Sequence, residues 1–195
     1  MSAGRGSSSA RELLVVLASS SPQRKEILQK LGVEFAVVVP GVEELTGGDP
    51  EAEVVENARM KALAVAGEGR LVIACDTDVV LDDRALGKPK DEAEAREYLD
   101  RMSGRAHTVL SGLVVLEDGE ERSGLEATSV VFKQLADEEK ERYVRFGEWR
   151  GRSGGYAIQT LGSTLVERVE GSVSNVVGLP VGLLLRLAPR LFEPT

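Results

Sequence analysis

Cysteine and histidine are almost missing from this 195-residue chain, with Cys75 and His107 the only example of each. One cysteine cannot close an internal disulfide, and no Cys/His spacing typical of a structural zinc site is present. Cys75 lies inside an apolar run, which predicts a core thiol in a reducing compartment. His107 has no partner among the motifs below, so it reads as structural rather than catalytic. Long hydrophobic runs are missing too. No segment approaches membrane-spanning length, and MSAGRGSSS at 1–9 lacks the apolar centre of a signal peptide. No membrane partner is therefore expected, and the cytoplasm is the expected location. Positive charge is in the minority, with 24 Lys and Arg against 32 Asp and Glu and a net charge of -8, which argues against wrapping a nucleic-acid polymer. Any phosphate ligand should be small and held locally. With no internal repeat and no Gly/Pro/Ser-rich linker, residues 1–11 read as a flexible leader and 12–195 as one domain.

What the chain does contain is an apolar run at 13–18 that breaks at Ser19-Ser20-Ser21, passes Pro22 and becomes an amphipathic helix. Pro22 suits the first helical position, Ser21 the N-cap and Gly32 the left-handed stop. Ile27, Leu28 and Leu31 form the predicted inward stripe. Gln23, Arg24 and Lys25 then place two cations at the positive end of the helix dipole, where carboxylates normally sit. Free backbone N–H groups, serine hydroxyls and a guanidinium together are what a phosphate needs. An ordinary strand–turn–helix with a solvated Arg24 accounts for the stretch equally well.

Residues 33–39 read as a second strand leaving into Pro40-Gly41, and Glu43 and Glu44 follow, either ligating a hard cation or forming a wet surface. Asp49-Pro50 with Glu51 and Glu53 opens a helix that stops near Gly67, with Val54, Ala58, Ala62 and Val65 on its inward face. Lys61 shares that face, where a lysine snorkels or meets an anion. The run LVIACDTDVVL at 71–81 would be a fully buried strand but for Asp76, Thr77 and Asp78. In a regular strand Asp76 and Asp78 point one way and Thr77 the other, and two carboxylates on one face make a candidate magnesium or manganese site. The alternative is a strand that ends at Cys75 and restarts after a bulge. Asp82-Asp83 predicts a hairpin turn into 84–86, leading to Gly87-Lys88-Pro89. Lys88, its backbone fixed by its neighbours, suits a phosphate, although such a tripeptide is also a common surface loop.

Asp91 and Glu94 make a capping box for a helix with Ala95, Leu99 and Met102 inward. Alternation over 108–116 and 127–132, about Glu117-Asp118-Gly119, predicts an antiparallel hairpin. Asp137 is the predicted cap of a helix running to about Phe146. The following GEWRGRSGG at 147–155 reads as a flexible cationic loop, closing over a ligand or merely connecting. Residues 156–159 and 163–169 look like two strands, and Gln159 offers a donor and an acceptor to a base edge. A final helix opens at Gly178-Leu179-Pro180, with Leu183, Leu184, Leu187 and Leu191 on its packed side. This order predicts an α/β fold, a mixed, elongated sheet flanked by helices, with two lobes around a central cleft. That cleft would gather Ser19, Arg24, Lys61, Asp76 and Lys88.

LASSSPQRKEILQKLG, CDTDVVLDDRALGKP and GGYAIQTLGSTLVERVEGSVSNVVGLP, in this order over nearly everything after the leader, resemble the Maf family of nucleoside triphosphate pyrophosphatases. The resemblance implies hydrolysis between the α and β phosphates of a nucleoside triphosphate, aided by a divalent cation, Mg2+ or Mn2+. Carried over by position, Asp76 is the general base, Glu44 and Asp76 lie near the metal, and Ser19, Arg24, Lys61 and Lys88 hold phosphate. Family members acting on dTTP and UTP share an arginine after SP, the threonine of ADT and the glutamine of GIQ. Thr77 and Gln159 match these, whereas Gln23 replaces the arginine and Asp78 replaces an apolar residue. Pyrimidine triphosphates, modified ones included, are the leading substrates, with broader nucleotide use open. A homodimer is typical of the family. The rival readings are a phosphate-monoester hydrolase with Asp76 as nucleophile and a nucleotide-binding regulator without turnover.

Overall fold

A computed structural model of the chain describes residues 14–193. The leader expected over 1–11, and Leu13 of the opening run, lie outside the described residues. The elements are β1 (Leu14–Ala18), α1 (Pro22–Lys30), β2 (Ala36–Val38), α2 (Pro50–Ala64), β3 (Arg70–Leu81), β4 (Arg84–Ala85), α3 (Glu92–Met102), β5 (Ala106–Glu117), β6 (Glu120–Phe132), α4 (Asp137–Phe146), β7 (Val166–Glu170), α5 (Val173–Val177) and α6 (Val181–Leu187). Short 3-10 turns occupy Ser153–Gly155, Leu161–Leu165 and Pro189–Phe192.

The helix starts follow local chemistry. The Ser21 hydroxyl accepts from the Arg24 N–H with Pro22 in the first turn, and the Asp91 carboxylate accepts from the Glu94 N–H, each satisfying a donor the helix itself leaves unpaired. The Glu94 carboxylate reaches back one residue further than the expected box, accepting from the Lys90 N–H at 2.7 Å. Asp137 is the first helical residue of α4 rather than its cap. The cap position is Ala136, whose N–H donates to the Glu139 carboxylate.

One sheet runs through the molecule in the order β2-β1-β3-β5-β6-β7, with β4 on the edge of β3. β1 pairs in parallel with β2 and β3, while β3, β5, β6 and β7 run antiparallel in succession. The long β3 changes partners along one edge. β1 covers Arg70 to Ala74 and β4 covers Val80 and Leu81, and no strand among the described residues covers 75–79 on that side. On the other edge the pairing with β5 is regular from Leu71 to Val80, which removes the alternative of a strand broken at Cys75. The acids of this strand are thus presented in a gap of the sheet, beyond the carboxyl end of β1, where open α/β sheets bind ligands.

Side chains alternate about β3 as period-two geometry requires. Leu71, Ile73 and Cys75 pack with Leu17, Leu28, Leu179 and Leu184 on one face, and Val72 and Ala74 pack with Ala58 and Ala62 of α2 on the other. A third core cluster, around Leu99, Met102, Phe132, Tyr143 and Trp149, lies beneath the far end of β3.

Several elements differ from their sequence reading. α1 ends at Lys30, so Leu31 is left 38% exposed and only Leu28 of the expected stripe is fully buried. β2 is three residues long, and β6 begins at Glu120, well before 127, because EERSGLE pairs along β5 while staying largely solvent-facing. Residues 156–159 form no strand. The Ala157 N–H donates to the Tyr143 hydroxyl, and just beyond it the Glu148 carboxylate accepts from the Thr160 hydroxyl and the Gly162 N–H, so the segment is held by side chains rather than by a sheet partner. The second expected strand, 163–169, is a 3-10 turn up to Leu165 and becomes β7 only from Val166.

Candidate functional site

The gap in the sheet opens into a cleft of about 570 Å³. Its lining includes the β1–α1 turn, the loop after β2, the inward face of α2, the middle of β3, Gly87 and Lys88, the 151–159 segment and the end of α5. Every residue expected to act, Ser19, Gln23, Arg24, Glu44, Lys61, Asp76, Thr77, Lys88 and Gln159, lines this one cleft.

The β1–α1 turn is bound to the opposite side of the cleft by Arg24. Its Nε donates to the Gly178 carbonyl at 2.8 Å, Nη1 to the Ser19 hydroxyl at 3.2 Å and Nη2 to the Thr77 hydroxyl at 3.1 Å. The solvated Arg24 of the ordinary turn is therefore not what is found. Ser19 also accepts from the Ser21 N–H, and the Gln23 side-chain oxygen Oε1 accepts from the Ser21 hydroxyl. Thr77, on the opposite face of β3 from Asp76, shares a hydrogen bond of 2.8 Å with Ser111, its cross-strand partner on β5.

On the α2 side, Lys61 and Asp76 form a buried pair, the ammonium 2.6 Å from Asp76 Oδ1 and 2.5 Å from Glu44 Oε1. Asn57, one helical turn before Lys61, donates to Asp76 Oδ2 at 3.0 Å. The approach of α2 depends on Gly112, the cross-strand partner of Asp76, since a Cβ there would come 2.2 Å from the Val54 carbonyl oxygen. A side chain beside Asp76 would thus displace the helix that carries both its partners.

Asp78 shares the strand face of Asp76 and accepts from the Ser153 hydroxyl at 2.6 Å, while the same hydroxyl accepts from the Val79 N–H. Burial pushes its carboxyl up to about 6. The Ser153 bond opposes this, and the charges of Asp76, Glu44 and Glu53 add to it. The 147–155 segment, expected to be flexible, is pinned. Trp149 is buried and donates to the Val144 carbonyl, the Gly154 N–H donates to the Gly87 carbonyl, and Gly154 at positive φ lies so close to Val79 that a Cβ would meet it at 2.6 Å. It forms a fixed wall, from which Arg152 lines the cleft.

Lys88 and Gln159 are exposed. Neither His107 nor Cys75 lines the cleft. His107 shares a hydrogen bond of 2.8 Å with the Tyr156 hydroxyl, packs edge-on to Phe132, and is held neutral by burial, its pKa lowered to about 4. Cys75 is fully buried.

The sequence reading missed Asn57, Ser111, Ser153 and Arg152. Asn57 did leave a trace, being a polar residue on the face of α2 that carries Val54, Ala58 and Lys61. Ser111 and Ser153 meet their partners only through tertiary contacts, whereas Arg152, part of the loop read as cationic, donates locally to the Glu148 carbonyl.

The donor set suits a divalent cation chemically. Glu44 and Asp76 offer hard carboxylate oxygens around a point already holding the Lys61 ammonium, and Mg2+ is commonly held by one or two carboxylates plus substrate phosphates. Among the described residues no group of three or more His, Cys, Asp or Glu side chains converges as an all-protein cage.

Fold and site together define an α/β protein in which one cleft gathers Arg24, Lys61, Lys88 and Arg152 with Glu44 and Asp78 around a buried aspartate, Asp76. The chain belongs to the Maf-like protein family, whose sequence model matches residues 14–191. It is similar to a dTTP/UTP pyrophosphatase of Deinococcus radiodurans, 46% identical over 89% of this chain and 90% of the relative. Another, from Pelotomaculum thermopropionicum, is 45% identical over 91% and 94%, and one from Thermoanaerobacter sp. is 42% identical over 92% and 97%. No helix among the described residues is long and apolar enough to cross a membrane.

Proposed function

We propose that this Maf-like protein hydrolyses nucleoside triphosphates to the monophosphate and pyrophosphate, with dTTP and UTP as preferred substrates and modified pyrimidine nucleotides as further ones. The observation that carries the reading is Asp76, buried at the floor of the cleft, with Lys61 on one carboxylate oxygen and Asn57 on the other. A carboxylate has about four lone-pair directions, so Asp76 keeps capacity to accept a proton from water. The names of the relatives support the reaction and the pyrimidine preference.

In the mechanism, Asp76 orients a water and takes its proton as the water attacks the α-phosphorus, and pyrophosphate departs. Arg24, Lys61 and Lys88, with the Ser19 hydroxyl, neutralise and position the phosphates. Glu44 and Asp76 would hold Mg2+ or Mn2+, which supplies Lewis-acid neutralisation of phosphate charge when bound. Gln23, Thr77 and Gln159 face the cleft as groups that discriminate the base. A nucleotide substrate and the reduced, buried Cys75 favour the cytoplasm as the site of action.

The deciding experiment incubates the protein with a panel of nucleoside triphosphates and Mg2+ or Mn2+ and identifies the products. Monophosphate plus pyrophosphate is expected, fastest with dTTP and UTP. Inorganic phosphate as the sole product would point to a monoester hydrolase using Asp76 as nucleophile, and tight binding without turnover to a regulator. Asp76→Asn is expected to lower turnover by at least about 10²-fold, the lower range for a lost general base, while nucleotide binding persists.

A further inference from the structure

Asn57 is 2% exposed on α2, and its side-chain amide uses both donors and its oxygen. Oδ1 accepts from the Leu45 N–H at 2.7 Å, while Nδ2 donates to the Leu45 carbonyl at 3.1 Å and to Asp76 Oδ2 at 3.0 Å. The two bonds to Leu45 imitate a strand partner, gripping both backbone groups of one residue. The Leu45 residue itself is 47% exposed, and among the described residues its backbone groups bond to Asn57. Among the described residues the stretch from 40 to 48 is tied to the rest of the fold by this grip, by the Glu44–Lys61 ion pair and by the Gly48 N–H on Glu53.

These contacts close a ring. Asn57 holds Asp76, Asp76 holds Lys61, Lys61 holds Glu44, and Glu44 is joined by a peptide bond to Leu45, which Asn57 holds. Lys61 constrains the two carboxylates only through a point charge, which has little directional preference. The planar amide of Asn57 adds the direction, fixing at once the plane of the Asp76 carboxylate and the position of the backbone that carries Glu44. We infer that Asn57 is a positioning residue for the reaction proposed above, setting the geometry between Asp76 and Glu44 without touching the substrate. This rests on that reading of the activity. Neither leucine nor aspartate can replace it. Leucine leaves Asp76 Oδ2 and both Leu45 groups without their partner, and aspartate keeps the acceptor for the Leu45 N–H but loses both donors and sets a second carboxylate against Asp76.

The test compares wild type, Asn57→Leu and Asn57→Asp in steady-state pyrophosphate release from UTP, with hydrogen exchange at the Leu45 amide followed in the free proteins. If Asn57 positions the reacting groups, kcat falls in both variants by about 10²-fold, the loss typical of an ångström-scale misplacement, while KM for UTP stays within about three-fold because Arg24 and Lys88 are untouched and Lys61 keeps both its carboxylate partners. Exchange at Leu45 separates the roles. It accelerates in Asn57→Leu and stays slow in Asn57→Asp, which retains the acceptor yet still loses kcat. Should Asn57→Leu fail to fold, the split between retained Leu45 protection and lost kcat in Asn57→Asp carries the test alone. Unchanged kcat in a folded variant, or a rise in KM at constant kcat, overturns the inference. A wild type that releases no pyrophosphate overturns the activity reading itself, and the catalytic consequence falls with it, while active wild type beside equally active variants overturns the role of Asn57 alone.

Discussion

Two titratable groups outside the Asp76–Lys61 pair, the half-buried Asp78 and the buried His107, act on stability in opposite senses. The Asp78 carboxyl is pushed from 3.8 up to about 6 by burial, and the His107 imidazole from 6.5 down to about 4. For Asp78 the folded value lies above the unfolded one. Between pH 3.8 and 6 the native state holds more protons, and stability is lost as pH rises through that window. For His107 the folded value lies below the unfolded one, so the stability present above pH 6.5 is lost as pH falls toward 4. The two slopes nearly cancel between pH 4 and 6, and each is worth on the order of 3 kcal/mol across its window. Removing one should uncover the other. Asp78→Asn, which can still accept from Ser153, is expected to gain stability relative to wild type as pH rises from 4.5 to 7, and His107→Gln to lose it. Urea unfolding of the three proteins at both pH values measures this, and parallel pH dependence in all three would refute it. The sequence marks Asp78 as an oddity in an apolar strand, but the identity of its partner, Ser153, 75 residues away, is legible only after folding.

At the level of elements, the site depends on how closely α2 lies against the sheet. Gly112 permits that approach, because its missing Cβ would sit 2.2 Å from the Val54 carbonyl oxygen and 2.5 Å from the Val55 nitrogen, both backbone atoms of α2 that cannot rotate aside. Gly124 makes a useful contrast. A Cβ there would meet the Leu183 side chain at 2.8 Å, and a leucine can change rotamer. Gly112→Ala is therefore expected to cost about 3 kcal/mol or more, the upper range of overpacking, and to lower kcat by displacing Asn57 and Lys61 from Asp76. Gly124→Ala should cost less than about 1.5 kcal/mol and leave kcat unchanged. Denaturant midpoints and turnover for the pair check both halves. The caps, turns and periodicities that delimit α1, α2, α3 and β3 are local, and their sequence readings agree with the structure to within a few residues. Two of the misread segments, 120–126 and 156–165, take their form from tertiary partners, β5 in the first and Tyr143 and Glu148 in the second. The same division runs through the site. Asp76, Lys61 and Lys88 stand out as charges in apolar or rigid surroundings, whereas Asn57 and Ser153 gain meaning only from what they touch.

Over the whole molecule the net charge is -8, yet Arg24, Lys61, Lys88 and Arg152 line one cleft beside Glu44, Asp76 and Asp78, so any attraction the proposed triphosphate feels is local, against an overall repulsive field. The cleft joins segments as far apart in sequence as Ser19 and Gly178. A bound triphosphate would bridge the β1–α1 turn, α2, β3 and the 151–159 wall, and would therefore stabilise the global fold rather than one loop. Asp76→Asn lets this be measured without turnover. Lys61 keeps Glu44 at 2.5 Å as a charge partner when the Asp76 carboxylate is lost, so the variant is spared an isolated buried ammonium. With UTP and Mn2+ at about 100 times Kd, linkage gives about 2.7 kcal/mol, which for a domain of this size raises Tm by roughly 5–10 °C. UMP, lacking the β and γ phosphates, should give a much smaller shift at the same concentration, and added salt should reduce the UTP shift as the exposed Lys88 is screened. Equal shifts with UMP and UTP would mean that the cationic lining does not hold the phosphates, and the assignment of Arg24, Lys61 and Lys88 to that role would have to be abandoned.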